Sequence, residues 1–266
     1  MKEPVRIFSD LHLGHRLSRI GEVSALRPLV AGAGTVIFNG DTWQELAGPF
    51  RARGLEMLGD LERLCAEEGA ETVYLSGNHD PGWPGRGWEE LAGGRIIVCH
   101  GDTLFHEGSP WKREILGARR RVDELWDRHP DAAHDPAGRI RVARDIAREL
   151  CSVEHPFGRH ILSRAWDAAI PPSRALRMLE AWFTQGAAGA DFIRRYFPSA
   201  EVLVIGHFHQ HGCWVKQRRL VINTGSFFDP GRAHYVEWKD GWLLRAEIDE
   251  SAAACRPGRR LGVWRF

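Results

Sequence analysis

The feature that most constrains this chain is a repeated one: short apolar runs that each end abruptly in polar residues able to bind a cation. Thr72-Val73-Tyr74-Leu75 leads to Gly77-Asn78-His79-Asp80, and Val5-Arg6-Ile7-Phe8 leads to Ser9-Asp10-Leu11-His12. Val36-Ile37-Phe38 leads to Asn39-Gly40-Asp41, Ile96-Ile97-Val98-Cys99 to His100-Gly101-Asp102, and Val202-Leu203-Val204-Ile205 to Gly206-His207-Phe208-His209. Runs of this length and β-branched content predict strands. Between the early ones, Ile20, Val23, Leu26, Leu29 and Val30, then Leu55, Met57, Leu58, Leu61 and Leu64, recur at helical spacing. The alternation predicts α/β units, whose sites form at the carboxyl ends of the strands.

After Phe105 the pattern changes. Strand signals vanish and Arg-rich helical spacings accumulate: Ile115, Val122, Leu125 and Trp126, then Ile140, Val142, Ile146 and Leu150, then Leu176, Leu179 and Trp182. This predicts a core of residues 1–109 and 199–266 and a helical insertion, a lid or cap, over 110–198. Beyond Ile205 the strands read as antiparallel, with Lys239-Asp240-Gly241 as a hairpin turn. Arg256 to Phe266 reads equally as a further strand or a basic tail.

A net charge of +1 argues against a general nucleic-acid coat and leaves room for a local basic face. The five cysteines are widely spaced without a C-x-x-C pair, which points away from a disulfide framework or zinc knuckle and toward a reducing compartment. No apolar run approaches ~20 residues and no signal-peptide core precedes the first strand. The expectation is a soluble cytoplasmic protein, with peripheral contact to the inner face of a membrane left open; the oligomeric state is unknown.

The strand ends supply Asp10, His12, Asp41, Asn78, His100, His207 and His209. Carboxylate, imidazole and amide oxygen suit borderline to hard divalent ions, and the lack of thiolate argues against structural zinc or an iron-sulfur cluster. Seven candidates exceed one tetrahedral site; two ions sharing a bridging carboxylate would use them all. Such a pair, ~3.5 to 4 Å apart, activates water and neutralises a phosphoryl group.

The ordered blocks D-x-H, G-D, G-N-H-D, H-G-D and G-H-x-H, followed by Asn223-Thr224-Gly225-Ser226, resemble those of the calcineurin-like metallophosphoesterases. The resemblance implies a four-layer αββα sandwich with two central mixed sheets, here with a helical insertion. It also implies two divalent ions, with Mn first and Fe, Zn, Ni, Co or Mg as alternatives. By the same resemblance Asp10, His12 and His209 hold the first ion, Asn78, His100 and His207 the second, and Asp41 bridges; His79 matches the catalytic histidine. The implied reaction is phosphoester or diphosphate hydrolysis by a metal-bridged hydroxide.

His100-Gly101-Asp102-Thr103-Leu104 before an Arg-rich helical segment is similar to the UDP-2,3-diacylglucosamine pyrophosphatases, which points to a nucleotide- or lipid-linked diphosphate. Two departures are present: His79 stands where that group has arginine, and Ile205-Gly206-His207-Phe208-His209 replaces H-G-H-T-H. A nuclease or cyclic-nucleotide phosphodiesterase is the alternative enzyme reading, so nucleic acid is not excluded as a partner. An inactive scaffold binding partners through the insertion is the non-enzyme alternative.

The remaining polar and aromatic residues carry ordinary expectations. His15, His106 and His211 are expected to pack or face solvent, and Asp80 and Asp102 to orient backbone or histidines. Trp111, Trp126, Trp166 and Trp182 are expected to pack the insertion, against a sharper alternative in which they line a lipid cleft. Arg119-Arg120-Arg121 is expected to be a solvated face, with a diphosphate clamp as the alternative.

Overall fold

Period-two alternation along the central strands sends successive side chains to opposite faces, and both faces are buried. In strand β1 (Val5–Phe8), Ile7 and Phe8 enter different core clusters; in β6 (Val202–Ile205), Val204 and Leu203 do the same. A sheet whose two faces are both apolar must be covered twice. The computed structural model, which describes residues 1–151, 171–250 and 254–266, shows how.

Two mixed sheets lie face to face. The first has the order β11-β10-β9-β1-β2-β3, with β2 (Thr35–Asn39) and β3 (Glu71–Leu75) parallel to β1. Its other half, β9 (His234–Lys239), β10 (Trp242–Asp249) and β11 (Arg256–Arg265), is antiparallel. The C-terminal basic stretch is therefore a strand at the edge of this sheet. The second sheet has the order β4-β5-β6-β8-β7, built from β4 (Trp88–Leu91), β5 (Ile96–Cys99), β6, β7 (Gly212–Lys216) and β8 (Arg219–Asn223). Here β5, β6 and β8 are parallel.

Val5, Ile7, Ile37, Val98, Val204, Ile222 and Val236 fill the space between the sheets. On the outer face of the first sheet, Phe8, Val36 and Phe38 pack with Met57, Leu58, Leu61 and Leu64 of α2 (Gly48–Glu67), the second helix after the short α1 (Arg27–Val30). On the outer face of the second, Ile97, Leu203, Ile205 and Val221 pack with Ala181, Ala190, Phe192 and Ile193 of α6 (Pro172–Tyr196). The result is a four-layer αββα sandwich.

Helix α6 falls inside the 110–198 segment, yet its C-terminal half is the fourth layer. Gly186 and Gly189 allow that approach, because a Cβ on them would stand 2.8 Å from Trp214 and 2.9 Å from Val221. The helices with a core of their own are α3 (Arg113–Leu116), α4 (Arg119–Asp127) and α5 (Pro136–Leu150), joined by Ile115, Val122, Leu125, Val142 and Ile146. Asp135 caps α5 by accepting from the Ala137 and Gly138 amides. Trp111, Trp126 and Trp182 are partly buried against these clusters; Trp166 lies outside the described residues. Leu176, Leu179 and Phe183 form an exposed apolar stripe on the first turns of α6. Among the described residues no helix is long and apolar enough to cross a membrane.

Two outcomes follow. Ile7→Ala, at a position with no exposure between the sheets, is expected to cost about 3 kcal/mol in denaturant unfolding. His234 is buried beside His211 and Arg245, and burial, then those neighbours, hold its pKa down to about 3. A base with a depressed pKa binds fewer protons folded than unfolded, so its contribution is complete above pH ~6.5 and is lost as pH falls toward 3. Acid unfolding should therefore steepen by up to ~1.4 kcal/mol per pH unit in that window, and His234→Gln should flatten it.

Candidate metal centre

The ends of β1, β2, β3, β5 and β6 that carry the candidate ligands lie at one end of the sandwich, and the backbone there is contorted. Asp10, His12, Asp41, His207 and His209 all have φ between 50° and 69°, the left-handed region that non-glycine residues seldom occupy. Asp and His are among the side chains that tolerate it best, and each departure turns a side chain inward just past its strand.

Two glycines serve by lacking a side chain. A Cβ on Gly77 would lie 2.3 Å from Asp41 Oδ1, and one on Gly206 would lie 2.2 Å from Asp10 Oδ2. Sharp turning belongs to Gly40 and Gly101, with φ of +76° and +113°.

The side chains converge in two groups that share one carboxylate. Ligand atoms of Asp10, His12, Asp41 and His209 lie within 4.8 Å of one another, as do those of Asp41, His100 and His207. Asp41 Oδ2 is 3.8 Å from His12 Nε2 and 3.4 Å from His100 Nε2, while its Oδ1 accepts the His79 amide at 2.8 Å. His209 Nε2 stands 3.3 Å from Asp10 Oδ1 and 3.0 Å from His12 Nε2. Asn78, which follows Gly77 onto the same rim, is 4% exposed.

The donor set passes a direct test for cations. Asn78 Oδ1, His100 Nε2 and His207 Nδ1 are buried and have no hydrogen-bond partner. Such atoms are costly unless something satisfies them. Each histidine is also oriented from its other nitrogen: His100 Nδ1 donates to the Asn39 carbonyl at 2.9 Å, and His207 Nε2 to that of Gly108 at 3.2 Å. Burial, reinforced by neighbouring histidines, lowers the pKa of His12 and His207, so both are neutral and available as ligands. Burial opposes charge on His100 too, but the Asp41 carboxylate outweighs it and raises that pKa. A cation there competes with a proton, so affinity should fall on acidification.

Asp80 binds backbone, as expected. Its carboxylate accepts from the amides of Asp41, Thr42 and Gly77 and from Trp83 Nε1, at 2.7 to 3.0 Å. Burial and the Asp41 charge push its pKa up to about 8. Asp102 is buried and raised to about 6 for the first of those reasons. His15 packs between Phe50 and Phe228, His106 stacks on Trp126, and His211 pairs with His234. Arg120 and Arg121 pair with Glu124, and Arg121 also with Glu149, so that run forms a solvated ion-pair face, and its two paired arginines are committed to carboxylates other than a substrate's.

Three contributors escaped the sequence reading. Gln44 is fully buried, with its amide 2.8 Å from His12 Nδ1 and 2.9 Å from His79 Nδ1. One end of an amide donates and the other accepts, so it holds the two imidazoles in opposite tautomers. The amide nitrogen faces His12 Nδ1, and the amide oxygen faces His79 Nδ1. A cation on His12 Nε2 would put the His12 proton on Nδ1 and turn the amide over, so that its nitrogen would donate to His79 Nδ1 and the His79 proton would stand on Nε2, where a leaving group could take it.

Arg144 of α5 reaches down to Ser76 Oγ at 3.0 Å and the Gly85 carbonyl at 3.0 Å, beside the Gly77-Asn78-His79 turn. Gln185 of α6 accepts from Asn223, which also donates to the Gly206 carbonyl, both at 2.8 Å. Nothing local marks Gln44 or Gln185; the α5 arginines at four-residue spacing were the available signal.

These features define an αββα sandwich with two groups of candidate metal ligands sharing Asp41. The order of its motif blocks resembles that of the calcineurin-like metallophosphoesterases. No protein-family model matches the chain, and no curated protein does. Solved structures with a similar chain path include a single mutant of Vps29 from Entamoeba histolytica, 15% identical, with a TM-score of 0.48 over 97% of each chain. Vacuolar protein sorting 29 from Cryptosporidium parvum is 11% identical, with a TM-score of 0.48 over 100% of this chain and 99% of that one. A dimetal phosphatase from Danio rerio is 12% identical, with a TM-score of 0.45 over 91% and 96%. Likenesses this distant concern chain path and carry no chemical argument.

Gln44→Leu should weaken Zn²⁺ affinity about 10- to 100-fold in competition titrations. In ¹⁵N spectra of the zinc-loaded protein it should also release His79 from the Nε2–H tautomer; an unchanged tautomer would show that the amide does not set it.

Proposed function

We propose that this chain is a dinuclear-metal-dependent phosphoesterase. The observation that carries the reading is the shared position of Asp41 between two ligand groups, together with buried, unpartnered ligand atoms on Asn78, His100 and His207. Asp10, His12, Asp41 and His209 hold one cation and Asp41, Asn78, His100 and His207 the other. Bound there, two divalent ions supply Lewis acidity that activates water and offsets charge on the phosphoryl oxygens. The residues of the chain do the rest. His79, oriented by Gln44, presents its Nε2 proton to the leaving oxygen.

The finer reading is a UDP-2,3-diacylglucosamine pyrophosphatase-like hydrolase acting on a nucleotide- or lipid-linked diphosphate, with Mn as first metal. It is supported by the motif likeness and by Arg144 and Arg148, which approach the turn after β3 from above. In this reading α3 to α5 form the lid over the core and the exposed stripe on α6 supplies peripheral membrane contact. The second reading, a nuclease or cyclic-nucleotide phosphodiesterase, is favoured by one specific residue, His79, which departs from the arginine of the lipid-processing group.

The experiment is hydrolysis of a UDP-linked lipid diphosphate, single-stranded DNA, a cyclic nucleotide and a p-nitrophenyl ester, with Mn²⁺ and after chelation. Turnover should require metal, elemental analysis should find two ions per chain, and Asp41→Ala should lower kcat at least ~10³-fold. Activity that survives both chelation and Asp41→Ala would sink the mechanism. Preferred turnover of DNA or the cyclic nucleotide would select the second reading, and a metal-free, inactive protein would favour a scaffold.

A further inference from the structure

A cavity of about 740 Å³ lies between the C-terminal half of α6, helices α4 and α5, and the loop that follows β5. None of the seven ligand residues lines it, nor does His79. Its volume falls within the range of small-molecule sites. Its walls are Leu104, Trp126, Phe192 and Tyr196, and its arginines are Arg139, Arg195 and Arg194, the last paired with Asp191.

Arg139 is the unusual member. It is 5% exposed, its guanidinium lies 4.2 Å from the centre of the Trp126 ring, and Nη2 donates to the Phe105 carbonyl at 2.6 Å. No carboxylate among the described residues is within ion-pair distance; Asp102 and Glu107 act on it only through their fields. Burial lowers its pKa to about 10, the mark of a cation held away from water without a counter-charge. Arg195 likewise makes no ion pair among the described residues; its Nε donates to the Ala133 carbonyl at 2.8 Å. Asp191, the acid lining the cavity, is committed to Arg194 at 2.9 Å and Gln217 at 3.0 Å.

A buried guanidinium without a partner anion is expensive, and its planar fork matches a carboxylate or phosphate. We propose that this cavity binds a small organic anion, with its carboxylate or phosphate head on Arg139 and Arg195 and an aromatic or aliphatic body against Trp126, Phe192 and Leu104. The site stands independently of the phosphoesterase reading. It borders the same loop, however: Leu104 faces the cavity, while the Gly108 carbonyl holds His207.

The test is titration of the full-length, metal-loaded protein with 1-naphthoate, 1-naphthylphosphonate, inorganic phosphate and neutral 1-naphthylmethanol, read at the Trp126 indole N–H by NMR. At least one aryl anion should give a saturable shift, and the two aryl probes decide whether the head is carboxylate or phosphate. Arg139→Gln should weaken binding at least ~10-fold, consistent with loss of a charge-assisted bond. Ala188→Trp, which places an indole in the cavity without touching either arginine, should abolish it. Arg195→Gln, on the surface, supplies the charge test if Arg139→Gln does not fold.

Asp41→Ala should keep probe binding and Ala188→Trp should keep p-nitrophenyl ester hydrolysis, so failure here and failure of the phosphoesterase reading are separable. The proposal is overturned by no saturable shift, by shifts confined to the histidines, by equal binding in Ala188→Trp, or by naphthylmethanol binding as tightly as the anions.

Discussion

The structure depends on one carboxylate. Asp41 stands between His12 of the first sheet and His100 of the second, and accepts the amide of His79 from the end of a third strand. Its two oxygens thus face three other strand ends at once. The arrangement is built at a cost: five ligand residues sit in left-handed backbone, each at about 1 to 2 kcal/mol. Together this approaches the net stability of an ordinary domain. It persists because the apolar layer between the sheets leaves the strands no other register, and because Asp80 ties the backbone on either side of the turn.

Much of this was legible in the sequence for a physical reason. A polar residue that binds metal gains nothing from packing at a strand end, so Asp10, Asp41, Asn78 and His100 announce themselves against the apolar runs before them. The two mixed sheets were expected only through the likeness of the ordered motif blocks to the calcineurin-like metallophosphoesterases. What was not legible depends on distance along the chain. Gln44 acquires its role from His79, thirty-five residues away, and Gln185 from Asn223, thirty-eight away. Neither has a local pattern to betray it.

The helical segment illustrates a different limit. A helix that covers a sheet and a helix that packs in a cap share the same 3.6-residue period, so α6 and α5 look alike as strings. Only the glycines at 186 and 189, with their close approach to Trp214 and Val221, mark α6 as a layer of the sandwich. The triple arginine at 119–121 drew attention by density, yet Arg120 and Arg121 are spent on surface pairs, whereas Arg144 reaches the site.

This placement makes the segment between β5 and β6 inseparable from the site. Gln185 holds Asn223, and Asn223 holds the Gly206 turn that carries His207 and His209. Trp182 Nε1 donates to the Phe208 carbonyl at 2.9 Å, between those two histidines. From the other side, Arg144 fixes Ser76 ahead of Asn78, and Gly108 orients the His207 ring. The ligand set is thus gripped by α5, by α6 and by the loop between β5 and α3, each through hydrogen bonds to ligand-bearing turns rather than through general packing. A molecule that shifts those helices shifts the ligands with them, because the contacts are directional and the turns have no slack in a left-handed backbone. The positions of these helices and of the candidate ligands therefore share one mechanical path.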